Sequence, residues 1–401
     1  MHLVPYSRGE ERFFYTLAAL GGLVTLIGLG SALYMEVHGH AVTGMNNQIV
    51  WGLPHVFAIF LIVAASGVLN VASIGSVFGK VLYKSRAPLS GLLCLAMLAG
   101  GLTVLMLDLG RPDRIIVAAT HYNFSSVFAW NVFLYSGMFT IVAVYLWTLM
   151  ERRMNPYSKP AGFAAFVGRL ILTTGTGSIF GFLVARQAYH SAILAPMFII
   201  MSFAWGLAAF MVVQKAMFSW NGLTLHPTLR NRMKNLLGIF VAATLYFVAV
   251  YHLTNLYFAK QVAFERFILV DGGVFPALFW GGWLLVGTVL PLVILYTPGL
   301  LAMRGAVMVA SILVILGAFC QLYVFIIGGQ AFPLEIFPGM AANSSFLDGQ
   351  VDHYAPSLPE FLLGLGGIGI AFTITTIGVR VFHFLPQDDL AKLEAAGHVL
   401  E

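Results

Sequence analysis

Four ionisable side chains, Asp108, Arg111, Asp113 and Arg114, fall within seven positions of a chain in which 9% of residues are charged. They stand directly behind the uncharged run Pro88–Met106. Burial disfavours an ionised carboxylate, so an acid at such a boundary is suited to exchanging protons. His55, after Pro54, opens another apolar run. An imidazole and a carboxylate at one depth are the parts of general acid–base chemistry. Arg111, three residues beyond Asp108, can hold that acid ionised or fix the loop. Glu36 and His190 sit at the ends of two further apolar runs and join the candidate set. Each of these residues also has a plain structural reading. Asp108, Arg111 and Arg114 can staple a turn made by Gly110 and Pro112. His55 can bond a helix start, Glu36 can be a solvated helix end, and Arg186 and His190 can anchor at an interface. Trp51 and Trp130 read as aromatic belt residues of a bilayer.

The elements that must position these groups follow from composition. Of 401 residues 59% are hydrophobic, with 42 glycines and 33 phenylalanines, and the mean hydropathy is +0.88. A soluble fold of that size needs a more polar surface. Uncharged stretches near the roughly 20 residues of a membrane-crossing helix recur throughout, and no run shows the alternation of a β-barrel strand. The pattern predicts an all-α polytopic membrane protein with ten spans. They cover about 13–35, 51–79, 88–108, 126–150, 163–187, 192–214, 236–259, 273–296, 305–328 and 359–384. The first apolar stretch is too long for a signal peptide and reads as a retained span. Cys94 and Cys320 lie inside apolar runs and read as packing residues.

Lys and Arg set the orientation. With a cytoplasmic N-terminus, 16 of the 21 basic residues, Arg169 among them, fall on the cytoplasmic side. The positive-inside rule then puts both termini in the cytoplasm, and the chain in the cytoplasmic (inner) membrane. Asp108, His55, Glu36, Arg111 and His190 all face outward. So do His252, Asn255 and Glu265, and the long loop 329–358, which carries Glu335, Asp348 and Asp352 without Lys or Arg. That loop, with "FPLEIFPG", is expected to dock a partner. The net charge of +5 calls for no nucleic acid.

Several chemistries compete for these residues. A b-type haem needs facing histidines within spans, and only His55 and His252 qualify. Neither a haem motif nor a cysteine cluster is present, and His38 and His40 are spaced for different helix faces. A transporter would place charge near mid-membrane, where Asn70, Gln214 and Gln321 are the main polar members. Quinone chemistry needs a greasy slot and an acid or imidazole at head-group depth, and Asp108 with His55 supply both. The hydroxyls and amides of the inner halves, Asn70 and Thr173–Thr176 included, read as helix-bonding groups rather than a proton path. The bundle is therefore expected to exchange protons at the outer face and not to pump by itself.

The motif "DLGRPDR" closing an apolar span, followed by "HYNFSSVFAWNVF", resembles the NrfD/PsrC family of quinone-interacting membrane subunits. The stretches "TGMNNQIVWGLPHVFAIFLIVAASGVLNVASIGS", "GGQAFPLEIFPG" and "SSFLDGQVDHYAPSLPEFLLGLGGIG" are similar to its DsrP (HmeB-like) group, of dissimilatory sulfur metabolism. The resemblance spans the chain. It implies two four-helix bundles, over 51–187 and 192–328, with peripheral first and last helices; the topology read above adds the outer loop 329–358 and a cytoplasmic tail over 385–401. It implies quinone (menaquinone or ubiquinone) as the reactant, with no haem or metal of the chain's own. It also implies a ferredoxin-like iron–sulfur subunit on the outer face, a multihaem c-type cytochrome, a haem-b membrane subunit and a cytoplasmic iron–sulfur subunit as partners. Asp108 and Arg111 lie in the hallmark motif, whereas His55, Glu36 and His190 rest on depth alone. A membrane anchor without redox chemistry, or a proton or solute transporter, is the alternative.

Overall fold

A computed structural model describes residues 11–222, 225–334 and 349–384. Among them, ten helices are long and apolar enough to cross a membrane. These are α1 (Phe13–His38), α2 (Leu53–Ser76), α3 (Leu82–Leu107), α4 (Val127–Met150) and α5 (Asn155–Gly181). Then come α6 (Leu194–Trp220), α7 (Pro227–Tyr257), α8 (Val274–Tyr296), α9 (Ala306–Ala331) and α10 (Leu358–Phe382). No strand occurs among the described residues. The chain has the all-α polytopic fold that its composition predicts, because a helix is the simplest way to satisfy every backbone group in hydrocarbon. Most ends shift by a few residues. The largest shift is at α7, which starts at Pro227 rather than 236: His226 caps it by accepting from the Thr228 amide, and Pro227 suits the first turn. Arg230, Arg232 and Lys234 hide that turn from a hydropathy reading.

Helix α2 is the hub. In its most apolar 18-residue window 94% of residues are buried, the state of a helix that is apolar all round and sheathed in protein. It touches α3, α5, α6, α9 and α10. Helices α2, α3, α4 and α5 contact one another in a ring, and α6, α7, α8 and α9 do the same. The rings meet mainly along α2 and α6, where a Cβ on Gly67 would collide with the Ser202 carbonyl oxygen. Helices α1 and α10 pair with each other, and α10 lies along α3 and α2.

One charge lies where the sequence reading did not place it. Arg169 is not in a cytoplasmic flank but within α5, at 3% exposure. Its Nη1 donates to Asn70 Oδ1 at 2.6 Å, and its guanidinium lies over the Phe166 and Phe203 rings. A hydropathy average over a whole span hides one arginine among apolar neighbours, which is why it counts with the cytoplasmic flank in the sequence. An arginine at mid-membrane costs roughly 3 kcal/mol on insertion scales, and the amide and two rings offset that cost.

Candidate functional site

The turn after α3 is built by its sequence. Asp108 closes the helix, and Gly110 takes a left-handed φ of 70° that lets the chain reverse. His40 packs on that glycine: a Cβ there would stand 3.0 Å from the His40 ring. The His40 Nε2 is 3.3 Å from the Asp108 carbonyl oxygen. On the facing element, Gly52 and Pro54 open α2 and set His55 in its first turn.

These two starts bring His55 and Asp108 together. His55 Nδ1 is 2.6 Å from Asp108 Oδ2, with side-chain exposures of 12% and 0%. The contact is close but not aligned as a hydrogen bond, and neither carboxylate oxygen receives a directed donor. A buried carboxylate in that condition carries an unmet demand for hydrogen bonds. Trp51 stacks on the His55 ring with centroids 6.0 Å apart and also meets Phe128, Phe180 and Tyr189. It is half-buried in an aromatic cluster, not in a lipid-facing belt. Exposed Trp130, which donates to the Phe124 carbonyl, fits the belt reading better.

One opening reaches Asp108, and a second lies on the α4–α5 face. His40, Met45, Asn46, Asn47, Val50 and Asp108 help to line a polar pocket of about 410 Å³, within the ordinary range for small-molecule sites. A groove of about 370 Å³ runs between α4 and α5, past Trp130, Asn131, Ile171 and Phe182.

The other predicted residues stand apart. Arg111 does not hold Asp108: its side chain is 62% exposed and pairs with Asp113 at 3.2 Å. That hydrogen-bonded partner holds the Asp113 carboxyl below its usual range. Glu36 and His190 are exposed, and His190 has a left-handed φ of 55°. Arg186, read as an interfacial anchor, instead donates to the backbone carbonyls of Gln48 at 2.6 Å and Gln330 at 2.9 Å. Burial lowers the pKa of its guanidinium.

The frame around His55 includes residues that the sequence reading passed over. Gln330 Oε1 accepts from the Val50 and Trp51 amides, both at 3.0 Å. Buried Glu360 accepts from the Gly44 amide at 2.8 Å, the Ser357 amide at 2.7 Å and the Tyr354 hydroxyl at 2.6 Å. The one signal for it was S-x-x-E at 357–360, a capping box that the structure contains. The middle of the long loop, with Glu335, Asp348 and most of "FPLEIFPG", lies outside the described residues, as does the tail 385–401. Among the described residues, no cluster of three or more His, Cys, Asp or Glu could hold a metal ion.

Comparison with known proteins adds the decisive observation. The family profile described as polysulphide reductase, NrfD, matches residues 41–334. The chain belongs to the NrfD family. The match covers the His55 and Asp108 turns and both helix rings. Among curated relatives is an Hdr-like menaquinol oxidoreductase integral membrane subunit from Archaeoglobus fulgidus, 28% identical over 382 residues, 94% of this chain and 95% of that one. A putative dimethyl sulfoxide reductase membrane subunit from Halobacterium salinarum is 27% identical over 89% of this chain and 88% of its own. A polysulfide reductase component from Wolinella succinogenes is 24% identical, covering 71% of this chain and 96% of its own.

Proposed function

We propose that this chain is the quinone-reactive membrane subunit of a respiratory redox complex, with His55 and Asp108 as its proton-exchanging pair. One observation carries the reading: a buried carboxylate, close to an imidazole, whose two oxygens lack directed donors. The family supports it, and so does the menaquinol oxidoreductase among the relatives. A bound quinol supplies two electrons and two protons. The imidazole accepts these protons one after the other at the depth of the head group, the Asp108 carboxylate beside it stabilising the cation each time, and the first is released before the second is taken. Trp51 offers a flat face next to His55, and the pocket lined by His40, Asn46 and Asn47 opens a polar way out for protons. Arg111 and Glu36 flank the rim of this end, with the Glu36 charge felt at Arg111. The rim is where we place an iron–sulfur partner that takes the electrons.

The finer reading keeps α2–α5 and α6–α9 as two four-helix bundles. It places the His55 end outside the cytoplasmic membrane, since 16 of 21 basic residues gather at or toward the other end. It assigns the complex to dissimilatory sulfur metabolism, with a multihaem c-type cytochrome, a haem-b subunit and a cytoplasmic iron–sulfur subunit, on the strength of the motif resemblance.

Photolabelling with an azidoquinone tests the site directly. The label should enter peptides 40–56 and 106–111 and be displaced by excess quinone. Displaceable labelling confined to other peptides would refute the site and leave the protein as an anchor for its partners.

A further inference from the structure

We infer a second proton-exchange site in the α6–α9 ring, built from His252, Glu265 and Gln321 around one buried water. It stands apart from the quinone reading above. Glu265 lies in the short helix Val262–Arg266 and is wholly buried. Its Oε2 is 2.6 Å from His252 Nδ1, and its Oε1 accepts from Asn255 Nδ2 at 2.7 Å. Since the carboxylate accepts, His252 Nδ1 donates, and the lone pair of a neutral ring is left on Nε2.

The surroundings separate this pair from a purely structural one. His252 and Gln321 both line an apolar cavity of about 30 Å³. Gln321 is 6% exposed, its Oε1 has no donor, and its Nε2 reaches only Met201 Sδ, at 3.8 Å. That volume exceeds the roughly 10–15 Å³ that one water needs and is small beside the roughly 300–1,000 Å³ of a small-molecule pocket. Three π-helical segments, Phe267–Asp271, Leu278–Val289 and Val324–Gly328, each give a wall residue, Ile268, Phe279 and Val324. Such segments are rare and concentrate at functional sites.

The water donates one O–H to Gln321 Oε1 and the other to His252 Nε2. A proton that reaches the water passes to Nε2, the imidazolium is balanced by Glu265, and release reverses the step. Nearby ionisable groups do not take Glu265 from His252. Tyr251 donates to the Ala188 carbonyl, Tyr189 donates to that of Ile326, and Arg266 pairs with exposed Asp271.

The test uses the full-length protein in nanodiscs, with ring-labelled histidine and infrared difference spectra after pH jumps in H2O and D2O. Wild type should show an imidazole–imidazolium band that exchanges readily and vanishes in His252→Gln, whose amide still donates to Glu265. Gln321→Leu, which keeps the pair intact, should shift that band and slow its exchange several-fold. If His252→Gln fails to assemble, Glu265→Gln, which removes the balancing charge, should move the band's midpoint to lower pH. No protonation-dependent band assignable to His252, or a band untouched by Gln321→Leu, would overturn the site.

Discussion

Asp108 and Glu360 are both buried carboxylates at one end of the molecule, and the use of their oxygens separates their roles. Glu360 is saturated by two amides and a phenol, the pattern of a structural anchor. Asp108 faces His55 with no directed donor, the pattern of a group that awaits one. Tyr354→Phe should therefore leave Glu360 Oε1 and the Leu53 amide unsatisfied. That should cost about 1–3 kcal/mol, read as a lowered melting temperature in detergent with quinol turnover retained below it. Burial, together with the Glu360 hydrogen bond, raises the Tyr354 pKa. With the folded value above the unfolded one, near 10, this latch contributes fully below that pH. It weakens only as pH rises past it, so melting curves of wild type and Tyr354→Phe should converge in strong alkali and run parallel from neutral pH down to mild acid.

At the scale of elements, α2 has to approach α6 closely and also hold a cation on α5. Gly67→Val should prevent the approach, because even a Cβ collides with the Ser202 carbonyl; the readout is loss of folded material in size-exclusion chromatography. Asn70→Leu removes the side-chain acceptor of Arg169 and should cost about 1.5–3 kcal/mol, measured by thermal unfolding. The polar residues beside it make helix bonds rather than a proton path. Thr173, Thr174 and Thr176 each donate to the carbonyl one turn back, so pH-sensitive dyes in vesicles should report no Asn70-dependent proton crossing. The spans were legible in the sequence because a bilayer permits one local structure for a long apolar run. The nearness of His55 and Asp108 was legible as a shared depth on neighbouring spans. Arg169 was not, since averaging over a span buries one charge. Nor was the pairing of His252 with Glu265, because a short helix brings the acid back onto α7 from 13 residues away. Trp51 misled as a belt residue for a related reason: a tryptophan at a span's end looks the same whether it faces lipid or protein.

At the scale of the whole molecule, crossing by all ten apolar helices would return the chain to the side where it began. Single-cysteine labelling in sealed vesicles should modify Lys84→Cys and Asn47→Cys from opposite sides, with Asn47→Cys on the outer one. The central claim is that protons and electrons of a quinol part at the His55–Asp108 pair, and kcat/KM for quinol oxidation by the intact complex tests it most directly. Loss of a general acid–base partner typically costs about 10²–10⁴-fold. Asp108→Asn, which keeps the shape of the side chain, should lower kcat/KM into that range while the complex assembles in normal yield. An assembled Asp108→Asn complex that oxidises quinol at the wild-type rate would contradict the account.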